Sequence, residues 1–259
     1  MSIVPPDVVP ALVARLRAAG CVYAEDEAAL LVEAAGSAAG LEAMVRDRVA
    51  GLPLEQVVGW AEICGLRVVV EPGVFVPRRR SELLARQAVG EARRRPGPVV
   101  DMCCGVGAVG AVVAAQVEGA DVYAADIDPA AVACARRNLP AERVFRGDLF
   151  AALPADLRGR IAVLVANAPY VPTAELDFMP AEARLYEAPV ALDGGPDGLD
   201  VQRRVIAGAP GWLAPGGVLL IETSERQAPG TLAAMASAGL AGHVVTDDDL
   251  DATVAVGTR

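Results

Sequence analysis

A chain of 259 residues is long enough to bury a full core, as one large domain or as one domain with a small appendage. Its composition, 54% hydrophobic with much Ala but only 4% aromatic, is that of a soluble globular protein, and no apolar run reaches the roughly 18 residues of a membrane helix, because "GAVGAVVAAQVEGA" is broken by Gly and Glu. A net charge of −10 opposes loose association with a phosphate backbone, which argues against nucleic acid as a partner. Five cysteines, Cys21, Cys64, Cys103, Cys104 and Cys134, lack CxxC spacing, so neither a disulfide scaffold nor a zinc site is expected. One His, His243 in the apolar "GHVVTD", and no Lys leave little room for a metal cluster, a Schiff base or a P-loop. The start, "MSIVPPDVVP", lacks the basic and apolar regions of a signal peptide, and a cytoplasmic site is the expectation.

From Pro6 to about Ala50 the apolar positions recur at helical spacing, as in Val9, Leu12, Leu16 and Ala28, Leu31, Ala35, with Gly20 and Gly40 as stops. Residues 1–50 therefore read as a small helical domain. In residues 51–80, "WAEICGLRVVVEPGVFVP" has β-branched runs around Gly-Leu and Pro-Gly, which predicts a hairpin linker. Residues 81–259 alternate strands with helices. The expected strands are Val99–Met102, Asp121–Ala125, Arg143–Arg146, Ile161–Ala166, Val218–Glu222, His243–Thr246 and Thr253–Gly257. Such alternation gives an α/β fold, a mostly parallel seven-stranded Rossmann-like sheet with helices on both faces. The last two strands are too close for a crossover helix and should pair as an antiparallel hairpin.

The stretch "VVDMCCGVGAVGAVVA" is a strand, a glycine turn and a helix start, with G-x-G-x-x-G at Gly105, Gly107 and Gly110. Asp126 follows at the end of the next strand, with Ile127 beside it, where its carboxylate can accept both hydroxyls of a ribose. Dinucleotide-binding domains and S-adenosylmethionine (SAM) methyltransferases share this layout. Asp101 separates them: a carboxylate ending the first strand suits a methyltransferase, in which it helps orient the amino-acid end of SAM. In "RGDLF", Asp148 is placed to bond the adenine amino group and Leu149 to cover the ring.

The chain holds only two Asn, and Asn167 ends the fourth strand of the sheet as "VLVANAPYVP" begins its turn. A planar NH2 nucleophile, such as a glutamine amide or an adenine amino group, has two hydrogens and a delocalised lone pair. Two acceptors aimed at those hydrogens fix the nitrogen, and the Asn167 side-chain oxygen and the Ala168 carbonyl are the candidates. Pro169 stiffens the turn and Tyr170 offers a flat face to the substrate plane.

From about Gly51 onward the sequence resembles the HemK/PrmC-type protein-(glutamine-N5) methyltransferases. "GLPLEQVVGWAEICGLRVVVEPGVFVPRRRSELL" is similar to the family's linker and its Pro-Arg-x-x-Thr-Glu signature, with Ser81 in the Thr place. "YEAPVALDGGPDGLDVQRRVI" and "LAPGGVLLIETSERQ" resemble two further family segments. The resemblance implies SAM contacts from Cys103, Cys104, Gly105, Val106 and Gly107, and from Asp126, Leu149 and Asn167. It also implies that Asn167, Ala168, Pro169 and Tyr170 hold a glutamine amide, and that the partner is a protein with an exposed glutamine, in the family a peptide release factor. Residues 1–50 are then expected to recognise that protein. Three departures mark a divergent branch: Ala168 replaces the first Pro of Asn-Pro-Pro-Tyr and should loosen the turn, Cys103 replaces a loop Gly, and the Gly expected after Glu222 is missing from "ETSERQ". Competing readings are an amino-methyltransferase acting on nucleic-acid adenine and a SAM-binding interaction protein without catalysis. The adjacent Cys103 and Cys104 admit redox control, with buried packing beside the loop the simpler expectation.

Overall fold

The structure, a computed structural model, describes residues 8–259. Expectations for Met1 to Asp7, including the helix start near Pro6, lie outside the described residues. Helices α1 (Val8–Ala18), α2 (Ala24–Ala34) and α3 (Ala38–Val49) bury the periodic positions of the sequence, among them Leu12, Leu16, Ala28, Leu31 and Val45, in an apolar cluster of their own. Gly20 does end α1, in the left-handed region at φ +93°. Gly40 is not a stop. It lies in the first turn of α3, where its N–H donates to Oγ of the capping Ser37 at 3.0 Å.

The short α4 (Leu54–Val58) ends at Gly59 in the left-handed region, and β1 (Trp60–Ile63) and β2 (Leu66–Val69) form the expected antiparallel hairpin. Its two-residue turn, Cys64 at φ +50° and Gly65 at φ +75°, has the backbone sense that matches strand twist. Helix α5 (Ser81–Arg94) then leads into β3 (Val99–Met102), α6 (Ala108–Gln116), β4 (Val122–Asp126), α7 (Pro129–Asn138), β5 (Val144–Arg146) and β6 (Ile161–Ala166). After a long connection holding α8 (Ala181–Tyr186) come α9 (Asp200–Trp212), β7 (Leu213–Thr223), α10 (Ala228–Ser237), β8 (Ala241–Asp247) and β9 (Ala252–Thr258).

These strands form one seven-stranded sheet in the order β5-β4-β3-β6-β7-β9-β8. Strands β3 to β7 run parallel, while β9 is antiparallel to both β7 and β8, as the short link between the last two strands requires. Two expected strands, Val99–Met102 and Ile161–Ala166, agree to the residue. The longest departure is β7, which starts at Leu213 and passes Pro215-Gly216-Gly217 through a register irregularity opposite Ile161/Val163. Side chains of α5, α6 and α7 bury one face of the sheet and those of α9 and α10 the other. Strand alternation splits β3 accordingly: Val99 joins the first core, Val100 and Met102 the second. All six residues of β6 are buried, as expected of a central parallel strand.

Arg48 ties the helical cluster to the rest of the chain. Its guanidinium grips Glu27 through Nε at 2.6 Å and Nη2 at 3.1 Å, and Nη1 reaches the Leu52 carbonyl at 3.0 Å and Glu182 of α8 at 2.5 Å. Arg48 and Glu27 side chains are only 10% and 11% exposed, so neither charge can turn to water if the other is removed. Arg48→Ala should lower stability by roughly 3–5 kcal/mol, read as a fall in the urea midpoint. The paired change Arg48→Met with Glu27→Leu should recover most of the loss. An unaltered midpoint in Arg48→Ala would contradict this account.

Candidate active site

Strand order reverses between β3 and β6, so the connections leaving their carboxyl ends depart in opposite directions and leave a crevice where ligands of such sheets bind. A cleft of about 1370 Å³, counting its solvent mouth, opens there. The loop after β3 and the ends of β4, β5 and β6 form its floor. The Phe75–Ser81 segment crosses one side.

The glycine loop is held by carboxylates rather than by side-chain packing alone. Asp126 Oδ2 accepts from the Gly105 N–H at 2.8 Å, and its Oδ1 from the Asp128 N–H at 2.9 Å. Each oxygen retains acceptor capacity, because a carboxylate offers about four lone-pair sites. Asp101 faces α6, where Oδ2 accepts the Gly110 N–H at 2.8 Å. Gly105 stands at φ +55°, and a Cβ built there meets no atom within 4 Å. Cys103 adopts φ +57°, the conformation that the family's glycine takes freely and that a side chain makes costly. Burial, and then the nearby Asp126 and Asp101, push the Cys103 thiol up, and burial does the same to Cys104. Both stay protonated thiols at neutral pH, which favours packing over redox chemistry.

At the β5 end, Leu149 lines the cleft at φ +49°. Asp148 also lines it, but its carboxylate is already paired with Arg204 at 2.6 Å, both half-exposed, so an adenine amino group there would meet an ion pair rather than a free carboxylate.

At the β6 end, Asn167 donates from Nδ2 to Ser81 Oγ at 3.2 Å. That bond turns the side-chain oxygen away from Ser81, and no described residue donates to this oxygen or to the Ala168 carbonyl. Both acceptors belong to residues that line the cleft. The looser turn expected from Ala168 is countered from outside. Gln227 Nε2 donates to the Tyr170 carbonyl at 2.9 Å, and the Val171 N–H and carbonyl pair with Leu192 and Gly194. A Cβ on Gly194 would stand 2.7 Å from the Pro169 carbonyl, which is why "DGGPDG" needs a glycine there. Ala168 itself is 1% exposed.

Asp101, Cys103, Cys104, Gly105, Val106, Asp126, Ile127, Asp148, Leu149, Asn167, Ala168, Pro169 and Tyr170 all line this one cleft. Gly107 stands apart from these. It caps α6 at φ +75° with its Cα against α7, where a Cβ would stand 3.0 Å from Leu139 and 3.3 Å from Ala135, so it shapes the loop without lining the cleft. Sequence reasoning missed Arg80, Arg204 and the contact of Ser81 with Asn167. Their partners are 56 to 142 positions away, and no local pattern reports such distances.

Burial pushes the Asp101 carboxyl up to about 7, against the pull of the Gly110 N–H and with a further push from Asp126. A carboxyl raised in the folded state adds stability that is complete below its unfolded value of about 4 and is lost as pH rises through the folded value. Asp101→Asn keeps an oxygen for Gly110 but cannot ionise. Without ligand, its urea midpoint should therefore fall less between pH 4 and pH 7 than that of the parent protein. Parallel pH profiles would assign the dependence to another group.

Comparison with known proteins agrees with this layout. The family model Methyltransferase small domain matches residues 65–197. The release factor glutamine methyltransferase of Geobacter sulfurreducens is 36% identical over 85% of this chain and 78% of its own. The 4-amino-L-phenylalanine/4-methylamino-L-phenylalanine methyltransferase of Streptomyces pristinaespiralis is 37% identical over 71% of this chain and 65% of its own. A methyltransferase structure from Pyrococcus furiosus shares the fold, with a TM-score of 0.55 at 16% identity over 75% of this chain and 89% of that one. With a free Asn oxygen and backbone carbonyl beside a carboxylate-braced glycine loop, the chain belongs to the release factor glutamine methyltransferases, the SAM-dependent HemK/PrmC-type family.

Proposed function

We propose that this enzyme methylates the side-chain amide nitrogen of a glutamine presented by a protein, a peptide release factor being the acceptor class that its relatives' names support. The observation that carries the reading is the pair of acceptors left unbonded by the described residues, Asn167 Oδ1 and the Ala168 carbonyl, on two residues that line the glycine-loop cleft.

The residues present fit SAM. Gly105 leaves open space above its backbone, Asp126 keeps lone pairs for a ribose, and Ile127 and Leu149 provide apolar surface for a base. When bound, SAM supplies an electrophilic methyl group on a sulfonium. The protein's part is alignment. Asn167 and Ala168 accept the two amide hydrogens, Tyr170 supports the amide plane, and the clamped turn holds all three still. Orientation of this kind can supply up to roughly 7–11 kcal/mol of barrier reduction without a covalent enzyme intermediate.

The helices before Ala50 are proposed to recognise the acceptor protein. Val22 and Tyr23, between α1 and α2, are 81% and 70% exposed, a pair of large side chains turned to solvent. Tyr23→Ser should raise KM for the protein acceptor about tenfold, as for a modest aromatic anchor, and leave SAM affinity unchanged. An unchanged KM would remove Tyr23 from the recognition surface.

Two variants separate cofactor binding from transfer. Asp126→Ala should weaken SAM binding by about 1.5–3 kcal/mol in calorimetry, the range for hydrogen bonds to a charged group. Asn167→Ala should keep SAM affinity within a few-fold yet slow single-turnover transfer by roughly 10²-fold, the loss seen when one preorganised polar partner is removed. Asn167→Asp should also transfer poorly to glutamine, because its carboxylate cannot donate to Ser81. The acceptor is identified by incubating the enzyme with labelled SAM and a lysate from a strain lacking it, then locating the mass gain. Label on adenine or on a free aromatic amine, instead of on a protein glutamine, would overturn the reading.

A further inference from the structure

Behind the acceptor site, at the end of β7, sits a carboxylate that the reaction does not touch. β6 and β7 pair with Ala166 opposite Ile221, so the next residues, Asn167 and Glu222, are neighbours across the sheet end. Glu222 is 1% exposed and lies outside the cleft wall, which is formed in front of it by Arg80, Ser81 and Tyr170. Its Oε1 accepts from Arg80 Nε at 3.3 Å and from the Tyr170 hydroxyl at 3.4 Å. Ser81, next in the chain to Arg80, accepts from Asn167 Nδ2 through its hydroxyl and still holds a proton to donate. The backbone beneath is fixed too. Gln202, fully buried, donates from Nε2 to the Glu222 carbonyl at 3.3 Å and accepts from Thr231 Oγ1 at 2.8 Å.

Such a group is hard to justify by stability. A buried carboxylate is expensive unless its lone pairs are filled, and Glu222 Oε2 finds no hydrogen-bond donor among the described residues. What Glu222 does accomplish is convergence, since the residues it holds are the ones that set the acceptor pocket. Arg80 stacks its guanidinium over the Tyr170 ring at 5.7 Å, Tyr170 is tethered by its hydroxyl, and Ser81 sets the rotation of the Asn167 amide.

We infer that Glu222 is a positioning residue for methyl transfer: through Arg80 it holds the adjacent Ser81, whose hydroxyl fixes which face of the Asn167 amide meets the acceptor nitrogen, and through the Tyr170 hydroxyl it fixes the ring beneath the amide plane. The inference rests on the acceptor-site reading above and goes beyond it by assigning a residue that contacts neither substrate nor cofactor.

The test measures single-turnover transfer and SAM affinity in the full chain. Glu222→Ala and Ser81→Ala should each slow transfer roughly 10- to 100-fold, the effect of a small misplacement of a reacting group, with SAM affinity within twofold of the parent. The conservative replacements Glu222→Gln and Ser81→Thr, which keep the acceptor and the hydroxyl, should restore rates to within about threefold of the parent under the same orientation argument. Because Glu222 acts through Ser81, the Glu222→Ala, Ser81→Ala double variant should be no slower than the product of one loss with a small remainder. If Glu222→Ala fails to fold, Ser81→Ala combined with Tyr170→Phe removes both groups through which it acts, leaves Glu222 itself unaltered, and should show the same slowing. Full multiplication of the two single losses, or a parent rate in Ser81→Ala, would overturn the inference. So would SAM affinity falling in step with rate. Asn167→Ala run alongside separates the two levels: a parent rate there defeats the acceptor-site reading itself, whereas slow Asn167→Ala with fast Ser81→Ala defeats only the role of Glu222.

Discussion

The pairing of β3 with β6 is the contact on which the site depends. Four parallel register pairs, from Val99 with Val163 to Met102 with Ala166, bring the ends of two strands separated by more than 60 residues to the same level. One residue further along each strand lie Cys103, which opens the glycine loop, and Asn167, which opens the turn after β6. Because the side-chain period of a strand is two, slipping this pairing by one residue would turn Asp101 away from α6 and displace Asn167 from Ser81. The full burial of both strands makes such a slip costly, and that burial is what gives the site its precision.

Around this contact the chain uses carboxylates as backbone anchors. Asp101, Asp126 and Glu187 each accept backbone N–H groups, from Gly110, from Gly105 and Asp128, and from Val76. Where a carboxylate needs a counter-charge, the partner is always Arg, since the chain has no Lys. The planar fork suits this use: Arg48 grips both oxygens of Glu27, and Arg78 both oxygens of Glu187 at 2.6 and 2.7 Å. The Arg78 pair joins the segment before α5 to the segment after α8, so the "PRRRSE" stretch beside the cleft is tied to the "YEAP" stretch.

The substitution of Ala168 for proline illustrates how a local constraint can be carried by other parts of the fold. A proline ring fixes one dihedral directly, whereas here the same turn is held by Gln227 on the Tyr170 carbonyl, by the Val171 ladder with Leu192 and Gly194, and by burial of the Ala168 methyl. These contacts come from the connection after the turn and from the segment after β7. They restrain the backbone without needing the missing pyrrolidine.

What the sequence determined by itself was everything with a local signature. Hydrophobic periodicity located the helical segment before Ala50 and all seven strands of the main sheet, because burial on one or both faces forces the pattern. The glycine loop, Asp126 and "NAPY" could be picked out because they stand at fixed offsets from strand ends, and the fold brings residues of all three to one cleft. Gly40 was misread because a glycine inside the first helical turn looks the same in sequence as one that ends a helix, and only Ser37 capping tells them apart. The tertiary structure alone decided the pairings between distant side chains: Asp148 with Arg204, Arg48 with Glu27 and Glu182, and Ser81 with Asn167 in front of buried Glu222. Such contacts depend on which strand ends lie side by side, and strand order in a parallel sheet is set by the packing of whole crossover units, whose partners no stretch of neighbouring residues encodes.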